Sequence, residues 1–110
     1  MMNQTILVGR LVRDVELEKT ENENSVAIMT LAVPRSFKNM DGEYETDFIP
    51  CILWKGVAEN TAEYCRKGDI IGVKGRLQTR TVEKEDGTKE NKIELVTEKV
   101  TFLSSRKSEE

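Results

Sequence analysis

Two aromatic rings and a row of cations are the side chains here whose type and spacing could do chemistry. In the run TDFIPCILW, residues 46–54, strand alternation sends Phe48, Pro50, Ile52 and Trp54 to one side and Ile49, Cys51 and Leu53 to the other. The aliphatic set with its cysteine suits the interior of a small barrel, which leaves both rings outward. In DIIGVKGRLQTRTVEK, residues 69–84, the same alternation puts Lys74, Arg76, Gln78, Arg80, Val82 and Lys84 on one face. Rings stack on planar bases whatever their identity, and cations follow phosphates. Together the two patterns fit a single-stranded nucleic acid read with little sequence preference. One stacked base is typically worth about 1–3 kcal/mol, so two or three rings outweigh bulk charge. Outward rings also serve as anchors for a protein partner, and a charge run is commonly a solvated face.

Phe37 lies between Arg35 and Lys38 in the segment PRSFKN, where an aromatic flanked by cations makes a stacking site. Strict alternation places it in phase with Leu31 and Val33, toward the core, unless Pro34 or a bulge resets the register. Tyr64 and Phe102 are assigned to packing. Tyr44, in an acidic loop, carries no assignment.

Catalysis is disfavoured by what the sequence lacks. It has no histidine, which removes imidazole bases, most zinc sites and the usual nucleophile pairs. Cys51 and Cys65 have no CxxC partner and read as small buried hydrophobes. The acids cluster in stretches 14–23, 41–47 and 83–90 and at the C-terminus, read as loops without metal-ligand spacing, so a nuclease-type site is not expected. We expect neither metal nor cofactor. The net charge of −3, from 17 basic and 20 acidic side chains, does not announce a nucleic-acid binder, so the placement of the cations has to. No apolar stretch reaches the roughly 20 residues of a membrane span, and the N-terminus carries no signal-peptide pattern. A cytoplasmic protein is the expectation.

The elements that must position these residues follow from periodicity. A chain of 110 residues is one domain. Strand patterns cover residues 5–12, 26–37, 46–54, 69–84 and 91–103, with residues 13–25 read as a loop. Asn39-Met40-Asp41-Gly42 and Glu85-Asp86-Gly87-Thr88 carry turn signals. Between Gly56 and Gly68 the period changes, and Ala58, Thr61, Ala62 and Cys65 share one helical face. Glycines 72 and 75 mark bends. Five strands with one short helix between the third and fourth predict a five-stranded Greek-key OB-fold barrel over residues 1–104, followed by a short polar tail, residues 105–110.

The segments NQTILVGRLVRDVEL, TLAVPRSFKN, ILWKGVAENTAEYCRKGDIIGVKGRLQTR and the EDG hairpin together resemble the bacterial single-stranded DNA-binding protein family, from Asn3 to about Leu103. RSFKN and AENTAEYC look especially like its short, competence-associated branch in Gram-positive bacteria. The resemblance implies sequence-nonspecific binding and protection of single-stranded DNA in replication, recombination, repair or uptake. It makes Phe37, Phe48 and Trp54 the stacking aromatics. Arg10, Arg35, Lys38, Lys55, Lys74, Arg76, Gln78, Arg80 and Lys84 become the phosphate and polar contacts. The family's usual fourth aromatic is replaced by Val82, which implies one stacking contact fewer. The resemblance also implies a homotetramer with Ile6, Val8 and Arg10 at the subunit interface. Many relatives continue into a Gly/Gln/Pro-rich linker whose acidic tip recruits replication and recombination proteins, whereas this sequence ends at Ser108-Glu109-Glu110. An OB module that binds RNA or a protein is the alternative.

Overall fold

The computed structural model describes residues 1–105. The strands are β1 (Thr5–Leu11), β2 (Glu18–Lys19), β3 (Ser25–Lys38), β4 (Tyr44–Trp54), β5 (Ile70–Glu83) and β6 (Lys89–Ser104), with one helix, α1 (Lys55–Tyr64), between β4 and β5. The sheet order β1-β5-β6-β4-β3-β2 closes on itself because β1 also pairs with β3, through Arg10 with Ala32 and Leu11 with Leu31. The result is a closed five-stranded barrel with a helix at one end, the architecture of an OB-fold. All pairings are antiparallel except β4 with β6, where Cys51 faces Leu95 and Ile52 faces Val96. Residues 13–25, expected to be loop throughout, contain the two-residue β2 against the start of β3.

Alternation builds the interior. Leu11, Ala27, Met29, Leu31, Cys51, Leu53, Ile71, Val73 and Leu95 are buried and pack with Ala58 and Cys65 from the helical segment. Cys51 and Cys65 are free thiols in this core. Burial pushes the Cys51 thiol up to about 11, against a smaller opposing effect of the Thr97 hydroxyl. Burial, helped by Asp69, raises Cys65 as well. Neither is a nucleophile near neutrality.

Closure needs sharp coiling, and glycine supplies it at two close approaches. At Gly75 a β-carbon would lie 2.1 Å from the Val96 carbonyl oxygen, where the β5–β6 register shifts between Lys74 and Gly75. At Gly9 it would lie 2.9 Å from the Ala32 carbonyl oxygen, beside the β1–β3 closure. The predicted hairpins form: the Asn39 side chain accepts from the Asp41 and Glu43 amides, and Asp86 accepts from the Thr88 amide and hydroxyl. Both turns carry a glycine in the left-handed region, Gly42 and Gly87.

Ala58 and Thr61 are buried on the inner face of α1, and the Cys65 amide closes its end on the Thr61 carbonyl. Two packing expectations are overturned. Tyr64 and Phe102 are both exposed. They flank a groove of about 430 Å3 between α1 and β6 rather than filling the core, because the buried side of the helix is taken by smaller side chains. Among the described residues no helix is long and apolar enough to cross a membrane. Of the predicted polar tail, residues 106–110 lie outside the described residues.

Candidate nucleic-acid interface

The outward face of β4, β6 and β5 brings the two sequence patterns together. Directly opposed residues share a side, so Trp54, Ile52, Pro50 and Phe48 of β4 continue through Val96 of β6, opposite Ile52, to Arg76 of β5, opposite Val96. Gln78, Arg80 and Val82 follow Arg76 down β5, facing Glu94, Lys92 and Glu90. Phe48 is 63% exposed and Trp54 39% exposed, while Cys51 and Leu53 are fully buried. Six residues of strand set the two rings about 20 Å apart, room for several nucleotides.

Trp54 owes its place to the junction that follows it. It is the extended N-cap residue of α1, and Lys55 turns the chain with φ 51° so that the helix starts at once. Ile28 of β3, opposite Ile52, is exposed on the same side and adds an apolar neighbour.

Phe37 is 67% exposed. Alternation placed it toward the core, but every residue from Pro34 to Lys38 is exposed, because this end of β3 runs past the barrel as one arm of a long hairpin. The β3–β4 pairing steps from Pro34 opposite Thr46 to Lys38 opposite Tyr44, an even step on both strands that keeps the phase. At the tip of that hairpin the Lys38 ammonium lies 5.7 Å from the centre of the Tyr44 ring, a cation–π contact across the arm. Tyr44, unassigned from the sequence, is exposed there.

The cations sort by what holds them. Arg35 is engaged on three nitrogens: Nε and Nη2 donate to Asp47 at 3.1 and 3.0 Å, and Nη1 donates to Glu45 at 3.1 Å. That bidentate grip holds the Asp47 carboxyl below its usual range. Arg10 donates to the Gly68 carbonyl at 2.8 Å, tying β1 to the loop after α1. Lys84, just beyond β5, pairs with Glu90 at 2.9 Å in solvent. Lys74 faces Lys99, and Arg76 reaches the Gln78 oxygen at 3.4 Å. Lys38, Lys55, Lys74 and Arg76 have no carboxylate partner among the described residues.

Acids, read from the sequence as clustered in loops, also reach this face. Glu90 and Glu94 both stand on it, opposite Val82 and Gln78. Glu94 is only 7% exposed, accepts from Gln78 Nε2 at 2.9 Å and pairs with Arg80 Nε at 3.4 Å. A sequence signal existed for it, a single acid between Ile93 and Leu95 inside a strand. Among the described residues no three Asp, Glu or Cys side chains converge to hold a metal.

On the outward side of β1, Ile6 and Val8 are exposed and face Lys74 and Gly72 of β5. Among the described residues, β1 pairs beyond β5 only at Arg10 and Leu11, which leaves one edge of residues 5–9 without a strand partner there.

Comparison with known proteins matches the chain to a family. A model of the single-strand binding protein family matches residues 2–103. The chain is 48% identical to "Single-stranded DNA-binding protein B" of Bacillus subtilis (strain 168), over 99% of this chain and 96% of that protein. It is 51% identical to "Single-stranded DNA-binding protein" of Bacillus cereus, over 96% of this chain and 62% of the relative. It is 49% identical to "Single-stranded DNA-binding protein 3" of Listeria innocua, over 98% of this chain and 68% of the relative.

Proposed function

This chain belongs to the single-strand binding protein family, and on that premise we propose that it binds single-stranded DNA with little sequence preference, coats it and keeps it from re-pairing. One observation carries the reading: the row from Phe48 to Trp54 and the row from Arg76 to Arg80 lie on one continuous outward face of β4, β6 and β5. The relatives' names supply the ligand. The mechanism is non-covalent and the protein is not an enzyme. Bases stack on Phe48 and Trp54 and on Phe37 at the hairpin tip, and phosphates are followed by Lys38, Lys55, Lys74, Arg76 and Arg80. Arg35, held by two carboxylates, braces the arm that carries Phe37. Val82 offers no ring, so affinity rests on three.

Replication, repair, recombination and DNA uptake all expose single strands, and the protein acts in the cytoplasm, where these occur. It works as a homotetramer whose contact includes the open β1 edge with Ile6 and Val8. Equilibrium binding of a labelled dT oligonucleotide tests the reading. The wild type binds it and leaves a matched duplex unbound, and Phe48→Ala and Trp54→Ala each weaken binding about ten-fold or more. An oligonucleotide that binds all three proteins alike, or none, refutes the reading.

A further inference from the structure

Arg80 and Arg35 make opposite use of a guanidinium, and the difference lies in which nitrogens are occupied. Each of the three guanidinium nitrogens of Arg35 donates to an exposed carboxylate. Arg80 is held only through Nε, by Glu94, and its two terminal amines have no partner among the described residues. A carboxylate as buried as Glu94 is cut off from water and needs protein donors in its place. Gln78 supplies one and Arg80 the other, with one carboxylate oxygen for each. The burial therefore fixes both neighbours. Gln78, having donated its amide nitrogen to Glu94, turns its oxygen toward Arg76 Nη1. One buried acid thus organises a row of three polar side chains, Arg76, Gln78 and Arg80, along the outward face of β5.

We propose that Glu94 is the positioning residue of the nucleic-acid face. It holds Arg80 by the inner edge of its guanidinium so that the paired terminal amines stand ready for a phosphate, and through Gln78 it aligns Arg76. The inference rests on the single-strand-binding reading above. Its sign is opposite to simple electrostatics. Removing a negative charge from a phosphate-binding surface favours the anion by Coulomb attraction, whereas releasing Arg80 and Arg76 loses the arrangement that makes a bidentate contact.

The test is a double-mutant cycle on binding of a dT oligonucleotide, with thermal midpoints measured on every variant. Wild-type binding comes first, and its absence would sink the functional reading rather than this one. Glu94→Gln, which removes the charge at nearly constant shape, weakens binding about five- to ten-fold. Arg80→Lys, which keeps the charge but loses the fork, weakens it by a similar factor. The double variant binds no worse than Arg80→Lys by more than about two-fold, because Arg80 carries most of the effect of Glu94. A Glu94→Gln protein that binds as tightly as wild type or tighter makes Glu94 a brake and overturns the proposal, as do fully additive losses. Should Glu94→Gln fail to fold, Arg80→Lys decides alone: wild-type affinity there overturns the proposal, and the stated loss supports it.

Discussion

At the scale of single residues, the same side-chain type does different work according to its neighbours. Arg35 braces a hairpin with three hydrogen bonds, while Arg80 is held through Nε alone. Sequence alternation put Lys74, Arg76, Gln78, Arg80 and Val82 on one side correctly, but it could not say which cations are already paired, because their partners come from other strands. Cys51 gives a residue-level prediction. Its folded-state value of about 11 exceeds the ordinary value of 9.0, so the native protein keeps a proton that the unfolded chain gives up. Stability from this group is complete below pH 9 and falls between about 9 and 11, by a total of about 2–3 kcal/mol. Chemical denaturation across that window checks it. The wild type loses more stability than Cys51→Ala, and parallel curves would refute the assignment.

At the scale of elements, the strands and helix were legible wherever alternation was unbroken. The pattern around Cys51, the helical face of Ala58, Thr61 and Cys65, and the Asp86-Gly87 turn all read directly. Register shifts were not legible. Nor was the reach of the β3–β4 arm: residues 34–38 and 44–46 are exposed on both sides, so alternation there no longer separates core from solvent and Phe37 is exposed whatever its phase. β2 escaped notice because a two-residue ladder leaves no periodicity. Tyr64 and Phe102 were misassigned because aromatic character suggests burial while a small barrel fills with aliphatic side chains. Gly75, expected as a bend, sits at a backbone-to-backbone approach that no flexible side chain can relieve. Gly75→Ala therefore costs the fold at least about 2 kcal/mol, read as a lower denaturation midpoint. An unchanged midpoint would show that β5 and β6 can part at Val96 without loss.

At the scale of the whole molecule, the net charge of −3 is a poor guide and the distribution of charge is a good one. Carboxylates neutralise several cations within the fold, so the nucleic-acid face depends on rings more than on total charge. The open edge of β1, with Ile6 and Val8 exposed beside it, is a surface the isolated chain leaves uncovered. Sedimentation at micromolar concentration should give the mass of a tetramer, and Ile6→Glu should shift it to smaller species. A monomeric wild type would remove the subunit contact from the account.

The most direct test uses the single tryptophan. Trp54 emission is followed while a dT oligonucleotide is added at several salt concentrations, beside a matched duplex. Strong quenching by the single strand and little by the duplex are expected, with log affinity falling with log salt at a slope of about −3.5 per subunit, from Lys38, Lys55, Lys74, Arg76 and Arg80. Unchanged emission, with no complex seen by a second probe, would contradict the claim that bases stack on the outward face of β4.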